Sequence, residues 1–111
     1  MVSTEESVWN ARARQSLAES GQAFERLLSL AEKQVDTGQV SVIASFIASV
    51  VGFRLFDLYA LRSLDVEIAD DVLTCIDAIR WSKAHLADLV PDGWSRAHAI
   101  CADWGFSPVQ R

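Results

Sequence analysis

The feature that most constrains the fold of this chain is a stretch without a single charged side chain, residues 37–53. Its large apolar residues recur at intervals of three and four, so we predict a helix over residues 39–53. A helix that is apolar over most of its circumference is normally surrounded by other helices. The stretch is shorter than the ~20 mainly apolar residues that a membrane span needs. We therefore predict a buried helix and a chain that does not insert into a membrane.

Helical periodicity also dominates the rest of the chain, which has two prolines and no strand-like alternation bounded by turns. We predict six helical segments, with a break at Gly21 after the first, and with Gly52 and Gly105 ending the third and the last. Three aspartates precede the later helices and are expected to cap them. They are Asp57, Asp65 and Asp92. The predicted fold class is all-α, a compact bundle of about five or six helices around the central apolar helix.

With 111 residues the chain has the size of one ordinary domain, so we expect a single helical domain over residues 1–111. Residues 1–20 have a thin apolar face and are expected to form a peripheral N-terminal helix. Apolar residues make up 50% of the chain, which is much for a domain of this size to bury. Since a monomer seldom tolerates a large exposed apolar patch, we expect a homo-oligomer, with a dimer favoured, or a protein partner.

The charge of the chain argues against direct binding to nucleic acid. The net charge is -5 and no basic run exceeds the pair Arg12 and Arg14, whereas a phosphate backbone requires a basic stripe. The sequence also argues against a DNA-binding helix-turn-helix centred on Gly38, because its recognition helix would contain no Lys or Arg. The N-terminus has no basic segment followed by an apolar one. We therefore expect a cytoplasmic protein in which Cys75 and Cys101 are reduced.

Two groups of residues are candidates for protein contacts. Small side chains let another helix approach closely, and serines recur at every fourth position of the central helix. The chain also has four tryptophans, and exposed tryptophans are typical interface anchors. Trp81 either anchors an interface or covers the edge of the core beside Trp94 or Trp104, and both interpretations stay open. The interaction candidates are Trp9, Trp81, Trp94, Ser41, Ser45 and Ser49.

Acidic, His and Cys side chains offer alternatives that involve chemistry. Four carboxylates in the first two turns of one predicted helix could bind a hard cation, but acidic side chains also complement a helix N-terminus without a metal. Two His and two Cys could form a zinc site, although no finger spacing matches and such cysteines are more often core residues. These groups are Asp65, Glu67, Asp70, Asp71, His85, His98, Cys75 and Cys101. We predict no catalytic, cofactor or metal site, and hence no enzyme.

The tripeptide Asp36-Thr37-Gly38 is also the one that carries the catalytic aspartate of aspartic proteases. Those enzymes need a β-rich barrel, whereas this aspartate lies between two helical patterns. We interpret the tripeptide as the end of one helix and the cap of the next.

Four segments of the chain, taken together, resemble the pattern of an uncharacterised family. They are Phe24-Glu25-Arg26-Leu27-Leu28, Asp36-Thr37-Gly38-Gln39, Phe56-Asp57-Leu58 and Ile68-Ala69-Asp70-Asp71-Val72-Leu73-Thr74. Over about residues 21–81 the chain thereby resembles an uncharacterised family of small helical proteins carried by bacterial plasmids and integrative elements. The resemblance implies a mobile-element setting and an unassigned function. By analogy, small acidic helical proteins of such elements tend to act by binding.

The leading hypothesis is therefore a small helical protein that acts by protein–protein interaction, through self-association, a host or mobile-element partner, or both. Two alternatives are kept. One is a metal-dependent enzyme that uses the acidic and His/Cys groups, and the other is a regulator that associates with nucleic acid through a partner. No cofactor, no membrane contact and no direct contact with nucleic acid are expected.

Overall fold

The computed structural model describes residues 4–33, 37–81 and 83–107, and it confirms the all-α prediction, since these residues form no strand. The α-helices are α1 (Thr4–Lys33), α2 (Thr37–Val50), α3 (Val66–Trp81) and α4 (Gly93–Asp103), and two 3₁₀ helices, η1 (Leu58–Ser63) and η2 (Leu86–Leu89), precede α3 and α4. None of the described helices is long and apolar enough to cross a membrane. Asp36, the predicted helix stop, lies outside the described residues.

α1 and α3 form an antiparallel pair. Trp9 near the beginning of α1 contacts Trp81 at the end of α3, and the backbone carbonyl of Ser20 lies 3.9 Å from the Cys75 sulfur. Ser20 and Cys75 are both fully buried. Small side chains at the contact allow the two helix axes to approach closely.

α2 and α4 complete the bundle by packing on α1 and on each other. One cluster of buried side chains receives residues from all four α-helices and from η2. Arg96 ties α4 to α1, because its guanidinium bonds the carboxylates of both Glu25 and Glu32. The largest fully buried side chains are Phe24, Leu27, Leu28, Ile43, Ile47, Val72 and Ile100.

The predicted break at Gly21 is wrong, because α1 continues through this residue without interruption. Glycine costs only about 1 kcal/mol in a helix interior, and the buried residues that follow it on the same helix outweigh that cost. The glycine instead lies against η2: a Cβ atom at position 21 would be 3.5 Å from the Leu89 carbonyl oxygen. Residues 4–20 are therefore an extension of a core helix and not a separate helix.

Gly52 and Gly105 end α2 and α4, as predicted. Their φ angles are 82° and 72°, in the left-handed region that glycine adopts without strain. The N–H of Phe53 bonds back to the Ala48 carbonyl at 2.8 Å, and the equivalent bond after α4 is 2.9 Å long. These bonds satisfy carbonyl groups that the end of a helix would otherwise leave unpaired.

The predicted caps have different outcomes. Asp57 caps η1, since its Oδ1 accepts a hydrogen bond from the Tyr59 N–H at 3.0 Å. The prediction for Asp92 is wrong, because this residue precedes α4 but its side chain makes no capping bond. The φ angle of Asp92 is 56°, whereas a capping side chain requires extended backbone to reach the first turn.

Candidate interaction surface

The segment between α2 and α3 is held against α2 at both of its ends. Phe56 packs edge-to-face on Phe46, with the ring centroids 5.4 Å apart. At the other end, the Gln39 side chain accepts from the Asp65 N–H at 2.7 Å and donates to Asp65 Oδ2 at 3.1 Å. These contacts fix the position of η1 relative to α2.

η1 divides its side chains between the core and solvent. A 3₁₀ helix has three residues per turn, so residues three apart share one edge. Leu61 and Leu64 share an edge that packs against the core. Tyr59 and Arg62 lie on the next edge and are exposed. Since no residue of η1 is fully buried, most of this short helix faces outward.

The most exposed large apolar side chains of the described residues lie between residues 55 and 66, in η1, just before it and at the first residue of α3. The exposed fractions are 84% for Leu55, 64% for Leu58, 77% for Tyr59 and 75% for Val66, and the highest value elsewhere is 63% for Ile79. We call Leu55, Leu58, Tyr59 and Val66 the η1 surface. Exposed apolar patches of this kind mark binding sites more often than ordinary surface.

A groove of about 330 Å³ lies beside the η1 surface, between α2, residues 54–60 and the residues that follow α4. Phe56, Trp104 and Phe106 contribute aromatic walls, and the guanidinium of Arg54 lies 4.6 Å from the Phe106 ring centroid. The Trp104 Nε1 atom is buried and has no hydrogen-bond partner among the described residues. Leu55 of the η1 surface lines the groove together with Ala60 of η1, so the groove is continuous with the η1 surface.

The serines of α2 lie partly inside this chain's own packing. Ser41 and Ser45 line the groove, whereas Ser49 lines a different cavity between α2, α3 and η2. The hydroxyls of Ser41 and Ser49 donate to carbonyls of α2 at 2.9 and 2.6 Å. The neighbouring Ala44 and Ala48 are buried in the core. The small side chains thus accommodate the segment that follows α2 and residues 104–106 after α4.

The structure brings Trp9 and Trp81 together at one end of the bundle. Their ring centroids are 4.6 Å apart at an interplanar angle of 65°. The guanidinium groups of Arg12 and Arg80 each lie 4.6 Å from the Trp81 ring centroid, and the indole N–H of Trp81 donates to Asp77 at 3.1 Å. Trp81 therefore covers an edge of the bundle with Trp9 as its partner, while 52% of Trp9 remains exposed.

Trp94 belongs to a separate group of rings. It stacks on His85 with centroids 4.3 Å apart, and its indole N–H donates to Asp88 at 2.7 Å. His85 Nδ1 accepts from the Ala87 N–H, so the proton is on Nε2, which donates to the Val50 carbonyl at 3.1 Å. Both ring nitrogens of His85 are therefore used in structural hydrogen bonds and cannot bind a metal in this arrangement.

Cys75 and Cys101 are buried free thiols. Burial raises the pKa of the Cys75 thiol to about 12, with a smaller contribution from the Asp71 carboxylate, while Arg26 acts in the opposite direction. Burial also raises the pKa of Cys101. Because the thiolate is both the nucleophile and the metal ligand, these thiols are poorly suited to either role.

The carboxylates at the start of α3 do not converge on one point. Asp71 receives two hydrogen bonds from the Arg26 guanidinium, at 2.9 and 2.7 Å, which raise the pKa of Arg26. Asp65, Glu67 and Asp70 are exposed. Across residues 4–33, 37–81 and 83–107, no three His, Cys, Asp or Glu side chains are placed to hold a metal ion together.

The η1 surface is absent from the residues predicted as contacts. A short helix rich in Leu suggests burial, and only the tertiary structure decides which edge is covered. One signal was nevertheless present: Leu55, Leu58, Leu61 and Leu64 recur at intervals of three, which fits a narrow apolar edge. The core covers only Leu61 and Leu64 of these four leucines, and the spacing alone does not indicate which end of the edge stays exposed.

The comparisons with known proteins confirm the predicted membership of an uncharacterised family and do not test the plasmid or mobile-element setting. No curated protein and no solved structure matches the chain. A family model matches residues 21–105, which extend from the middle of α1 to the end of α4. The match begins where the predicted resemblance began and continues beyond it through η2 and α4. The chain therefore belongs to the family described as Family of unknown function (DUF7673).

Proposed function

We propose that this chain is a protein-interaction module that forms a dimer through the η1 surface. The observation that carries the proposal is the exposure of Leu55, Leu58, Tyr59 and Val66 within a short segment. Apolar area removed from water contributes about 25 cal/mol per Å² to association. A protein partner is the natural means of covering these four side chains.

The rigid support of the η1 surface favours binding. Phe56 is packed on Phe46, Asp57 caps η1, and Gln39 bonds both the backbone and the side chain of Asp65. A surface that is already ordered loses little conformational entropy when it binds. The aromatic groove beside it provides the concave part of a complementary interface.

A second copy of the chain is the partner that fits best. Two-fold dimers are the commonest assemblies of soluble proteins, and each subunit in them uses the same patch. The chain carries a net charge of -5, which disfavours self-association in general, but residues 54–65 hold two Arg and two Asp and are locally neutral. Two copies can therefore bring this segment together without local repulsion.

The state of the reactive side chains supports binding over catalysis. Burial raises the pKa of the Cys75 thiol to about 12, both nitrogens of His85 are occupied, and Asp71 is paired with Arg26. General acid–base and nucleophilic roles need groups that can exchange protons or attack a substrate. We therefore propose a function without catalysis.

The proposal is tested by sedimentation equilibrium over a series of protein concentrations. We expect the unmodified chain to be a dimer and the double variant Leu58→Ser, Tyr59→Ser to be a monomer with the same circular dichroism. The thermal midpoint of the variant should change little, because exposed side chains contribute about 0.5 kcal/mol or less to folding. A monomeric unmodified chain at all concentrations would contradict the proposal.

Leu73→Ser is the matched control. Leu73 is an exposed apolar residue on α3, with 51% of its surface accessible, and it lies outside the η1 surface. The control variant should stay dimeric. If it dissociates to the same extent as the double variant, the interface is not confined to the η1 surface.

The setting of the protein is also proposed. We expect it in the cytoplasm, encoded by a plasmid or an integrative element, and able to bind a host or element protein as a dimer. The support for this setting is the resemblance described above. Sequencing the DNA on both sides of the gene would test the mobile-element part.

A further inference from the structure

The charges around η1 have an antisymmetric order. Residues 54–65 contain four charged side chains: Arg54, Asp57, Arg62 and Asp65. Arg54 and Asp65 are equally distant from the peptide bond between Tyr59 and Ala60, and so are Asp57 and Arg62. The two members of each pair carry opposite charges. Reversing the direction of the segment therefore exchanges every positive position with a negative one.

Such an order is self-complementary in one geometry. When a segment runs antiparallel to its own copy about a two-fold axis, a residue that faces the second copy meets the residue at the mirrored position. Here both mirrored charge pairs are attractive.

The structure presents the centre of this pattern to solvent. Leu61 faces the core, while the opposite side of η1 is formed by Tyr59 and Arg62 on one edge and by Ala60 and Ser63 on the other. Ala60 and Ser63 are small, so a second helix can approach closely there. The Tyr59–Ala60 bond lies in the middle of η1, between these two edges.

The four charged side chains are available for contacts with a second copy. All four are exposed. Asp57 uses Oδ1 to cap η1, and Asp65 uses Oδ2 to accept from Gln39, so the other oxygen of each carboxylate can accept a further bond. Arg62 makes no ion pair with a described residue.

We propose that two copies pair their η1 segments antiparallel about a two-fold axis at the Tyr59–Ala60 bond. This geometry rests on the dimer proposed above. Arg54 of each copy meets Asp65 of the other, and Asp57 meets Arg62. Tyr59 lies on Ala60 of the second copy, at the edge of the aromatic groove that Ala60 lines.

Charge reversal tests this register. In the dimer of Arg62→Asp two carboxylates face each other at each of two symmetric contacts, and in the dimer of Asp57→Arg two guanidiniums do so. Each single variant should dimerise at least about tenfold more weakly, because like charges at an interface are strongly unfavourable. An equimolar mixture of the two variants restores both contacts, so it should form a heterodimer of nearly normal affinity, measured by native mass spectrometry.

The exposed pair Asp77 and Arg80 on α3 provides the control. Reversing either of these charges should leave dimer affinity unchanged. Asp57→Arg also removes the cap of η1, so a second measurement avoids this position. Ala60→Cys should form an intermolecular disulfide under mild oxidation, because the two copies of residue 60 lie beside the axis, whereas Ser95→Cys on α4 should not.

The outcomes separate the two proposals. A dimer that weakens with Arg62→Asp, re-forms in the mixture and cross-links through Ala60→Cys supports the register. A dimer that is indifferent to both charge reversals and does not cross-link at position 60 overturns the register and leaves the proposed function intact. An unmodified chain that is always monomeric overturns both.

Discussion

At the scale of single residues, Gly93 has no room for a side chain. A Cβ atom there would lie 2.1 Å from the carbonyl oxygen of Ala87 and 2.9 Å from its carbonyl carbon. Because backbone atoms are in the way, the clash cannot be relieved by a rotamer change. We expect Gly93→Ala to lower the free energy of unfolding by about 3 kcal/mol or more, measured by urea denaturation.

At Gly21 we expect the same substitution to raise the free energy of unfolding instead of lowering it. A Cβ atom at this position would make ordinary contacts of 3.5 and 3.6 Å with Leu89, and the residue lies inside a continuous helix. Gly21→Ala should therefore raise the free energy of unfolding by about 0.5–1 kcal/mol, through lower backbone entropy in the unfolded chain. Destabilisation in the same urea experiment would mean that η2 packs more tightly on α1 than these distances indicate.

Cys75 is expected to be inert in the folded protein. With its pKa raised to about 12, on the order of one thiol in ten thousand is ionised at pH 8. Ellman's reagent should therefore not modify Cys75 in the native protein and should react with both cysteines in concentrated urea. Rapid modification of Cys75 in the native protein would contradict the burial of this thiol between α1 and α3.

At the scale of elements, the contact between α4 and α1 depends on charge. The Arg96 guanidinium donates to Glu32 at 2.9 and 2.7 Å and also bonds Glu25. The hydrogen bonds from Arg96 lower the pKa of Glu32 below its ordinary value of 4.5. A carboxylate with a lowered folded pKa stabilises the protein above its unfolded pKa, and this contribution is lost as the pH falls through the folded value.

Glu32→Gln tests this dependence. Because 40% of the Glu32 side chain is exposed, solvent screening limits the expected loss of stability at pH 7 to about 1 kcal/mol or less. The difference between the variant and the unmodified chain should shrink as the pH falls through the lowered folded pKa of Glu32, since the unmodified glutamate is then protonated as well. Glu19→Gln, at an exposed position on α1 away from α4, is the matched control for the loss of a carboxylate in the same thermal-unfolding experiments.

The ends of the elements were predictable where the local sequence determines them. Gly52 and Gly105 end helices through bonds within a few residues, and Asp57 caps its own helix. The predicted break at Gly21 was wrong because the buried residues that follow it on the same helix outweigh the low helix propensity of glycine. η2 was missed for a similar reason, since His85 caps it while also bonding the carbonyl of Val50, 35 residues earlier.

The candidate surface was predictable only in part. Ser41 and Ser45 were identified from their spacing, and they do line the groove. Their spacing could not indicate that the covering segment belongs to the same chain. The exposure of Leu58 and Tyr59 could not be read from the sequence either, because it follows from the orientation that Phe56 and Gln39 impose on η1.

At the scale of the whole molecule, the family region and the structural core begin at the same place. The family match starts at residue 21, and the continuous series of fully buried side chains on α1 starts with Ala23 and Phe24. Before residue 20, among the described side chains, only Ser16 is buried. The first half of α1 thus adds length to the molecule, whose longest dimension is 52 Å, and adds little to its core.

A chain that begins at Gly21 should therefore fold and dimerise. It would lose the Trp9–Trp81 ring contact and the stacking of Arg12 on Trp81, worth about 2 kcal/mol together, so we expect the thermal midpoint to fall by roughly 10 °C. Tryptophan emission should shift to the red because Trp81 becomes exposed. Sedimentation should still give a dimer, since the η1 surface lies wholly within the retained residues. A cooperative but monomeric truncated chain would instead place the interface on the first half of α1, and a chain without cooperative unfolding would make that half part of the folding unit.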